Sequence, residues 1–225
     1  MLNLLRLVAF LPAVATSDKD RLVSRLRDTS GTLPGIDDVM MARTPGRGAN
    51  NPADLIWRVR FPDRKAFDHA MSSASWRSMI EPLFSAGGPF LPVEHVVYCG
   101  GRSGGRERSS GLYRVALFCA NQSATPERVR RWSDELAEMP RHVSAIRWWG
   151  LTEPSETKGS RPWTVVWEQE YDDVRALNGP YAMHPCHWAQ VDRWFDPEYP
   201  EFLVDSHLCH SFGEFHRPNA ASFRR

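Results

Sequence analysis

Cysteine is scarce and unpaired: four residues (Cys99, Cys119, Cys186, Cys209) among 225, none in a C-x-x-C. That spacing is not the disulfide framework of a small secreted domain, and it fits a reducing cytoplasm. Neither sign of charge is in excess. Lys and Arg number 28 against 27 Asp and Glu, for a net +1, and no long basic block occurs, which argues against a nucleic-acid or anionic-membrane footprint. No glycine-rich loop follows a strand and opens a helix, so a nucleotide cofactor is not expected. What is present is ordinary globular material, 42% hydrophobic and 24% charged, enough to build a core. The expected partners are small molecules and further copies of the chain, as a homodimer of internally duplicated subunits.

The segment Leu2 to Ala15 imitates a secretion signal, with LVAFLPAVA and a possible A-x-A cleavage site at Ala13-Val14-Ala15. The same residues are needed as a strand by an internal repeat. LLRLVAFLPA (4–13) reappears as LYRVALFCAN (112–121), just after the Gly/Ser/Arg stretch 100–111, which reads as a linker. Each opening strand precedes a polar helical segment, 17–28 and then 125–138, with Pro126 at a favourable first-turn position. Matching breaks follow at Leu33-Pro34-Gly35 and Met139-Pro140-Arg141. Strands are expected at 36–44 and 53–61, mirrored by 143–151 and 162–170, so that Trp57 and Trp167 coincide. A second helical region, 63–84 and 172–195, leads to a last strand, 89–100 and 201–212, in which His95 and His207 coincide.

Each half is thus β-α-β-β-α-β, the order of a ferredoxin-like α+β unit. The expected domains are 1–99, a linker at 100–111, a second repeat at 112–216, and a tail at 217–225. Two sheets in one chain can cover each other and close into a barrel, and this intramolecular pseudo-dimer is preferred over two independent beads.

Scaffold positions only fill volume, so chemistry belongs where the copies diverge. Six of eight histidines and seven of nine tryptophans follow residue 106. The sharpest feature is Tyr181-Ala-Met-His184-Pro185-Cys186-His187-Trp188. Pro185 suits a first helical turn with His184 near its cap. His187, Val191 and Trp194 then share one face, which half-buries an imidazole suited to acid–base chemistry. The first copy has Ser75 in place of His187 and His69 in place of Tyr181, so proton transfer there is expected to be lost.

The HP-x-H segment (184–187) within such a unit resembles the stress-responsive dimeric A/B-barrel family, over nearly the whole chain as tandem copies. In that family's polyketide-cyclase branch the second histidine is the catalytic base, assisted by a tyrosine three residues before the first. The resemblance therefore implies His187 as base and Tyr181 as its assistant. The branch also has a histidine at the head of its first strand, where this chain has Arg114, and Arg6 in the first copy. An arginine at a cavity mouth is a fork for a carboxylate, which points to an acidic substrate. Equally, Arg114 could point to solvent or pair with an acid.

Other readings use the same residues. His184-x-x-His187 and His207-x-Cys209-His210 offer metal ligands, but a Pro-interrupted His-x-x-His is not the spacing of familiar zinc sites, and no metal is expected. Because His207 and His210 alternate faces on a strand, at most one can join His187. Cys186 is expected to be structural rather than nucleophilic. Trp167, Trp188, Trp194 and His207 are expected to line the substrate side together with Arg114. The expected activity is a cofactor-independent carbon–carbon lyase, decarboxylase-like, on a small aromatic or hydrophobic acid, as in aromatic-compound catabolism. An aldol-type cyclase, a cofactor-free oxygenase and a non-catalytic binder of hydrophobic ligands are the alternatives.

Overall fold

The computed structural model describes residues 1–217. Its first repeat contains strands β1 (Leu2–Phe10), β2 (Asp38–Arg43), β3 (Leu55–Phe61) and β4 (Phe90–Cys99), and helices α1 (Thr16–Gly31), α2 (Arg64–Ser72) and α3 (Glu81–Phe84). After a short β5 (Arg102–Gly105), the second repeat supplies β6 (Ser110–Phe118), α4 (Pro126–His142), β7 (Trp148–Thr152), β8 (Glu156–Lys158), β9 (Val165–Tyr171), the single turn α5 (Val174–Ala176) and β10 (Cys209–His216). The architecture is α+β, two ferredoxin-like units in tandem. No helix among the described residues is long and apolar enough to cross a membrane.

The strands join into a ten-stranded antiparallel sheet in the order β5-β7-β9-β6-β10-β2-β3-β1-β4-β8. The two seams between repeats are equivalent. At one, the last strand of the second repeat meets β2 through Phe215↔Ala42 and Glu214↔Arg43. At the other, the last strand of the first repeat meets β8 through Val96↔Thr157. Since β8 continues from β7 after a short bend, the ring closes. A Cβ at Gly213 would lie 2.0 Å from the carbonyl oxygen of Arg43, so only glycine admits this close approach of β10 to β2.

Closure explains the near-continuous apolar reading of β1 and β6, because both faces are covered. Leu5, Leu7, Met40, Ile56, Tyr113, Val115, Leu117 and Val166 face the barrel interior. Alternate residues such as Leu4, Trp57, Ala116, Phe118 and Trp167 face the helices. The signal-like stretch is itself the strand β1, flanked by β3 and β4. The interior also carries an ion pair between repeats, Arg58 Nη1 to Glu168 Oε1 at 2.8 Å, and the Tyr113 hydroxyl donates to the same oxygen at 2.5 Å.

Several expectations need correction. Helix α4 runs through Pro140 to His142 rather than breaking at 139–141. A proline in the last turn forfeits a single intrahelical bond, and Met139 is fully buried. The stretch 100–111 is not a free linker: β5 pairs with β7, and β6 begins at Ser110. The last strand starts at Cys209, eight residues late, because 201–208 form a loop that packs on the core through Leu203 and Val204 and pairs with the chain after β6 as an isolated bridge, Ala120↔Val204. Of the expected tail, Arg217 is buried and binds Glu170 at 2.6 Å; residues 218–225 lie outside the described part.

Candidate active site

The site lies on the helix side of the second repeat's sheet, where β6, β9, β10 and the segment 173–195 meet. That segment starts like its counterpart in the first repeat. Asp173 accepts a hydrogen bond from the Ala176 amide at 2.9 Å, as Asp63 does from Ala66 at 2.8 Å, and each caps a helix. Regular helix then gives way in both copies, in the first to a π-type turn at Trp76–Ile80 and in the second over a longer stretch. Gly179-Pro180 and Pro185 interrupt it, and π-type turns form at Leu177–Tyr181 and His187–Val191. His184 Nδ1 accepts from the Cys186 amide at 3.1 Å, closing the second turn as a cap. Irregular turns of this kind re-aim side chains and recur at functional sites.

The result brings Tyr181, His187 and Arg114 together. The His187 imidazole stands edge-on to the Tyr181 ring, centroids 5.1 Å apart and planes at 80°. Its Nδ1 faces Asp192 Oδ1 at 3.4 Å, leaving Nε2 as the nitrogen free for chemistry. Burial pushes the His187 pKa down and the Arg114 charge adds to this, while Asp192 opposes it. The imidazole is therefore neutral near pH 7, the form a general base needs.

Arg114 is not at a cavity mouth. It is 4% exposed, with its guanidinium carbon 5.2 Å from the Tyr181 ring centroid. One terminal nitrogen donates to Gln169 Oε1 and the other to His210 Nε2, the latter at 3.2 Å. Both ends of the expected carboxylate fork are thus already engaged, and the open alternatives of solvent or an acidic partner do not apply either. His210 was missing from the sequence-based set. Burial, Arg114 and His187 all hold its pKa well below the usual histidine range. Its signal was the strand alternation, which puts His210 and Phe212 on the face opposite His207. Along this face of β9, Trp167 Nε1, Gln169 Nε2 and the Tyr171 hydroxyl are buried without a hydrogen-bond partner among the described residues, and the Tyr171 ring packs on Tyr181 at 5.6 Å. Each carries a desolvation penalty that a hydrogen-bonding ligand would relieve.

The remaining candidates divide. Trp167 belongs to the same core, packed against Trp149 at 5.7 Å. Trp194 is buried there too, its indole donating to Glu135 at 2.7 Å. Trp188 is 58% exposed and turns back to the carbonyl of Ala182, so it lines no enclosed wall. His207 lies elsewhere, stacked on Trp163 at 6.0 Å and hydrogen-bonded with Ser160. The Cys186 thiol contacts Gln190, and burial pushes its pKa up, away from a thiolate. Among the described residues, no three His, Cys, Asp or Glu side chains converge as a metal site would require.

The first repeat holds a matching pair, with both members half-buried. Arg6 Nε donates to His95 Nδ1 at 3.1 Å, so the counterpart of His95 is His210 rather than His207. The Arg6 guanidinium is surrounded by Trp57, Trp76 and Phe84, each ring centroid within 5.5 Å. His69, in Tyr181's place, is exposed.

Residues 112–205 match the family described as the stress responsive A/B barrel domain. Among solved structures, an anthrone oxidase-like protein superposes with a TM-score of 0.73 at 11% identity, covering 97% of this chain and 93% of that one. A mutant chlorite dismutase from Candidatus Nitrospira defluvii gives 0.54 at 10% identity, covering 100% and 95%. Comparison with curated proteins returns no match. At such identities the likeness is one of fold, and it spans both repeats. The second repeat of this chain is accordingly a stress responsive A/B barrel domain, carried in a tandem ferredoxin-like protein.

Proposed function

We propose that the chain is an enzyme that moves a proton at carbon in a small aromatic or otherwise hydrophobic carboxylic acid, as a cofactor-independent carbon–carbon lyase of decarboxylase type. The observation that supports this reading is the half-buried His187 imidazole, kept neutral and in contact with the Tyr181 ring that covers Arg114. In the reaction the neutral His187 imidazole first takes the proton of the substrate's carboxylic acid group; the bond from carbon to the carboxylate then breaks, carbon dioxide leaves, and the electron pair left on carbon takes that proton back from the His187 imidazolium. The lowered pKa makes that imidazolium a strong acid whenever it forms. The Tyr181 hydroxyl hydrogen-bonds a phenolic or carbonyl oxygen of the substrate. Arg114, already engaged, contributes positive potential from beneath the site instead of a fork.

A second reading, oxidation of the same carbanion by dioxygen, is favoured by the anthrone oxidase-like neighbour that spans both repeats. One experiment addresses both. Purified protein and His187→Ala are incubated with a panel of aromatic carboxylic acids, with products followed by mass spectrometry and oxygen by electrode. Loss of carbon dioxide with the wild type alone supports the lyase; oxygen uptake supports the oxidase. Equal turnover by His187→Ala overturns both.

A further inference from the structure

A pocket of about 310 Å³ opens at one end of the barrel interior, along the seam where β5 pairs with β7. It is separate from the His187 site. Glu168 lines it, whereas Arg114 binds the neighbouring Gln169, and consecutive residues of a strand point to opposite faces. Both repeats build its wall. Arg58 and Tyr98 come from the first and Glu168 from the second, each at most 3% exposed.

Much of that wall's bonding capacity is open. Arg58 donates from Nη1 to Glu168 at 2.8 Å, while Nε and Nη2 make no hydrogen bond among the described residues. These two nitrogens share one edge of the guanidinium, the edge that holds a carboxylate through two parallel bonds. Asp38 stands 3.6 Å from Nη2, near enough for charge and too far for a hydrogen bond. The Tyr98 hydroxyl is likewise without a partner, as is Oδ1 of Asn3, the lining residue directly opposite Tyr98 on β1. Glu168 uses Oε1 for both Arg58 and Tyr113. Its Oε2 faces Gly150, another lining residue, where a Cβ would stand 3.5 Å from it. Trp148 adds an aromatic plane beside the Arg58 guanidinium, at 5.9 Å from ring centroid to carbon.

Charge decides which ligand these groups suit. Arg58, Arg60 and Arg217 are interleaved with four carboxylates, Asp38, Glu107, Glu168 and Glu170, at 2.6–3.6 Å. Arg102 at the pocket is bound to Asp134. A bare anion would therefore enter a neighbourhood with no positive charge to spare, and a bare cation would leave the Arg58 edge unmet. We infer that the pocket binds a free α-amino acid, its carboxylate on the open edge of Arg58 and the Tyr98 hydroxyl, its ammonium group toward Glu168 Oε2 and Asn3 Oδ1, and its side chain along Trp148. Such a zwitterion is neutral overall, and each pole relieves buried groups that otherwise bear a desolvation cost. The volume lies at the lower end of the range for ligand sites, in keeping with a molecule of that size. Nothing in this binding depends on His187.

The test is calorimetric titration of the full chain with each standard L-amino acid in turn, then with the N-acetyl and the carboxamide derivatives of the best binder. At least one amino acid is expected to bind with a Kd below about 1 mM. Each blocked derivative should bind about tenfold or more weakly, the loss that follows removal of a charge-assisted hydrogen bond. Tyr98→Phe and Asn3→Leu each remove an atom that has no partner in the folded chain, so folding should be unharmed, and each should weaken binding about fivefold. His187→Ala should leave it unchanged. Absence of binding by every amino acid, equal binding of a blocked derivative, or full affinity in either Tyr98→Phe or Asn3→Leu overturns the inference. So does a loss in His187→Ala as large as in Tyr98→Phe, which would place the ligand on the helix side of the sheet.

Discussion

Arg114 donates to Nε2 of His210 at 3.2 Å, and because an arginine can only donate, that nitrogen must be the acceptor and the ring must carry its proton on Nδ1. Burial first, and this permanent cation with it, hold the His210 imidazole neutral and push the neighbouring His187 down. Where the family resemblance implies a strand-head histidine, this chain has an arginine and recovers an imidazole from the adjacent strand.

The first prediction follows from that charge. Arg114→Met removes a positive group that lowers both histidine pKa values, so both should rise. In histidine NMR titrations the His187 and His210 midpoints move to higher pH, and the basic form of His187 is populated over a narrower range. Unchanged midpoints would show that burial alone sets them.

Replacing His187 with alanine should lower turnover by about 10²–10⁴, the usual contribution of a positioned acid–base group. The side chain is half-buried and makes no strong hydrogen bond, so stability in urea should change by no more than about 1 kcal/mol. A large stability loss would mark the residue as structural.

Tyr181→Phe keeps the ring that contacts both His187 and Arg114 and removes only the hydroxyl. The expected result is a smaller loss than for His187→Ala, confined to kcat. A rise in KM at constant kcat would make the hydroxyl a ground-state binding group.

The fold was legible because it is written twice. β1 and β6 are each nine residues long and stand 108 positions apart, so one copy checks the other, and period-2 alternation marks which residues face the helices. The site was legible only in part. Tyr181 and His187 sit in a motif, but the pairing of Arg114 with His210 depends on strand register across 96 positions, and a loop at 201–208 hid that register. Equating His95 with His207 therefore put the wrong histidine beside the arginine. Trp188 was grouped with the substrate side although the helical wheel put only His187, Val191 and Trp194 on one face; one residue on from His187 it points about 100° away, to solvent.

Histidine burial also makes acid sensitivity a property of both repeats. Burial, Arg6 and Lys158 push His95 down to about 4, and His210 is shifted in the same direction. Below the unfolded histidine value of about 6.5, the unfolded chain binds protons that the folded chain refuses, so stability is fully present above that pH and falls as pH drops toward 4. Each such histidine contributes a slope of up to about 1.4 kcal/mol per pH unit in this window. Carboxylates titrate in the lower part of it, so the measurement is a difference: urea unfolding of wild type and His95→Gln at pH 7, 6 and 5. The variant should lose some stability at pH 7, where the Arg6 bond is altered, yet show a shallower decline on acidification. Parallel curves would mean that His95 is protonated in the folded state, and the neutral pairing with Arg6 would have to be abandoned.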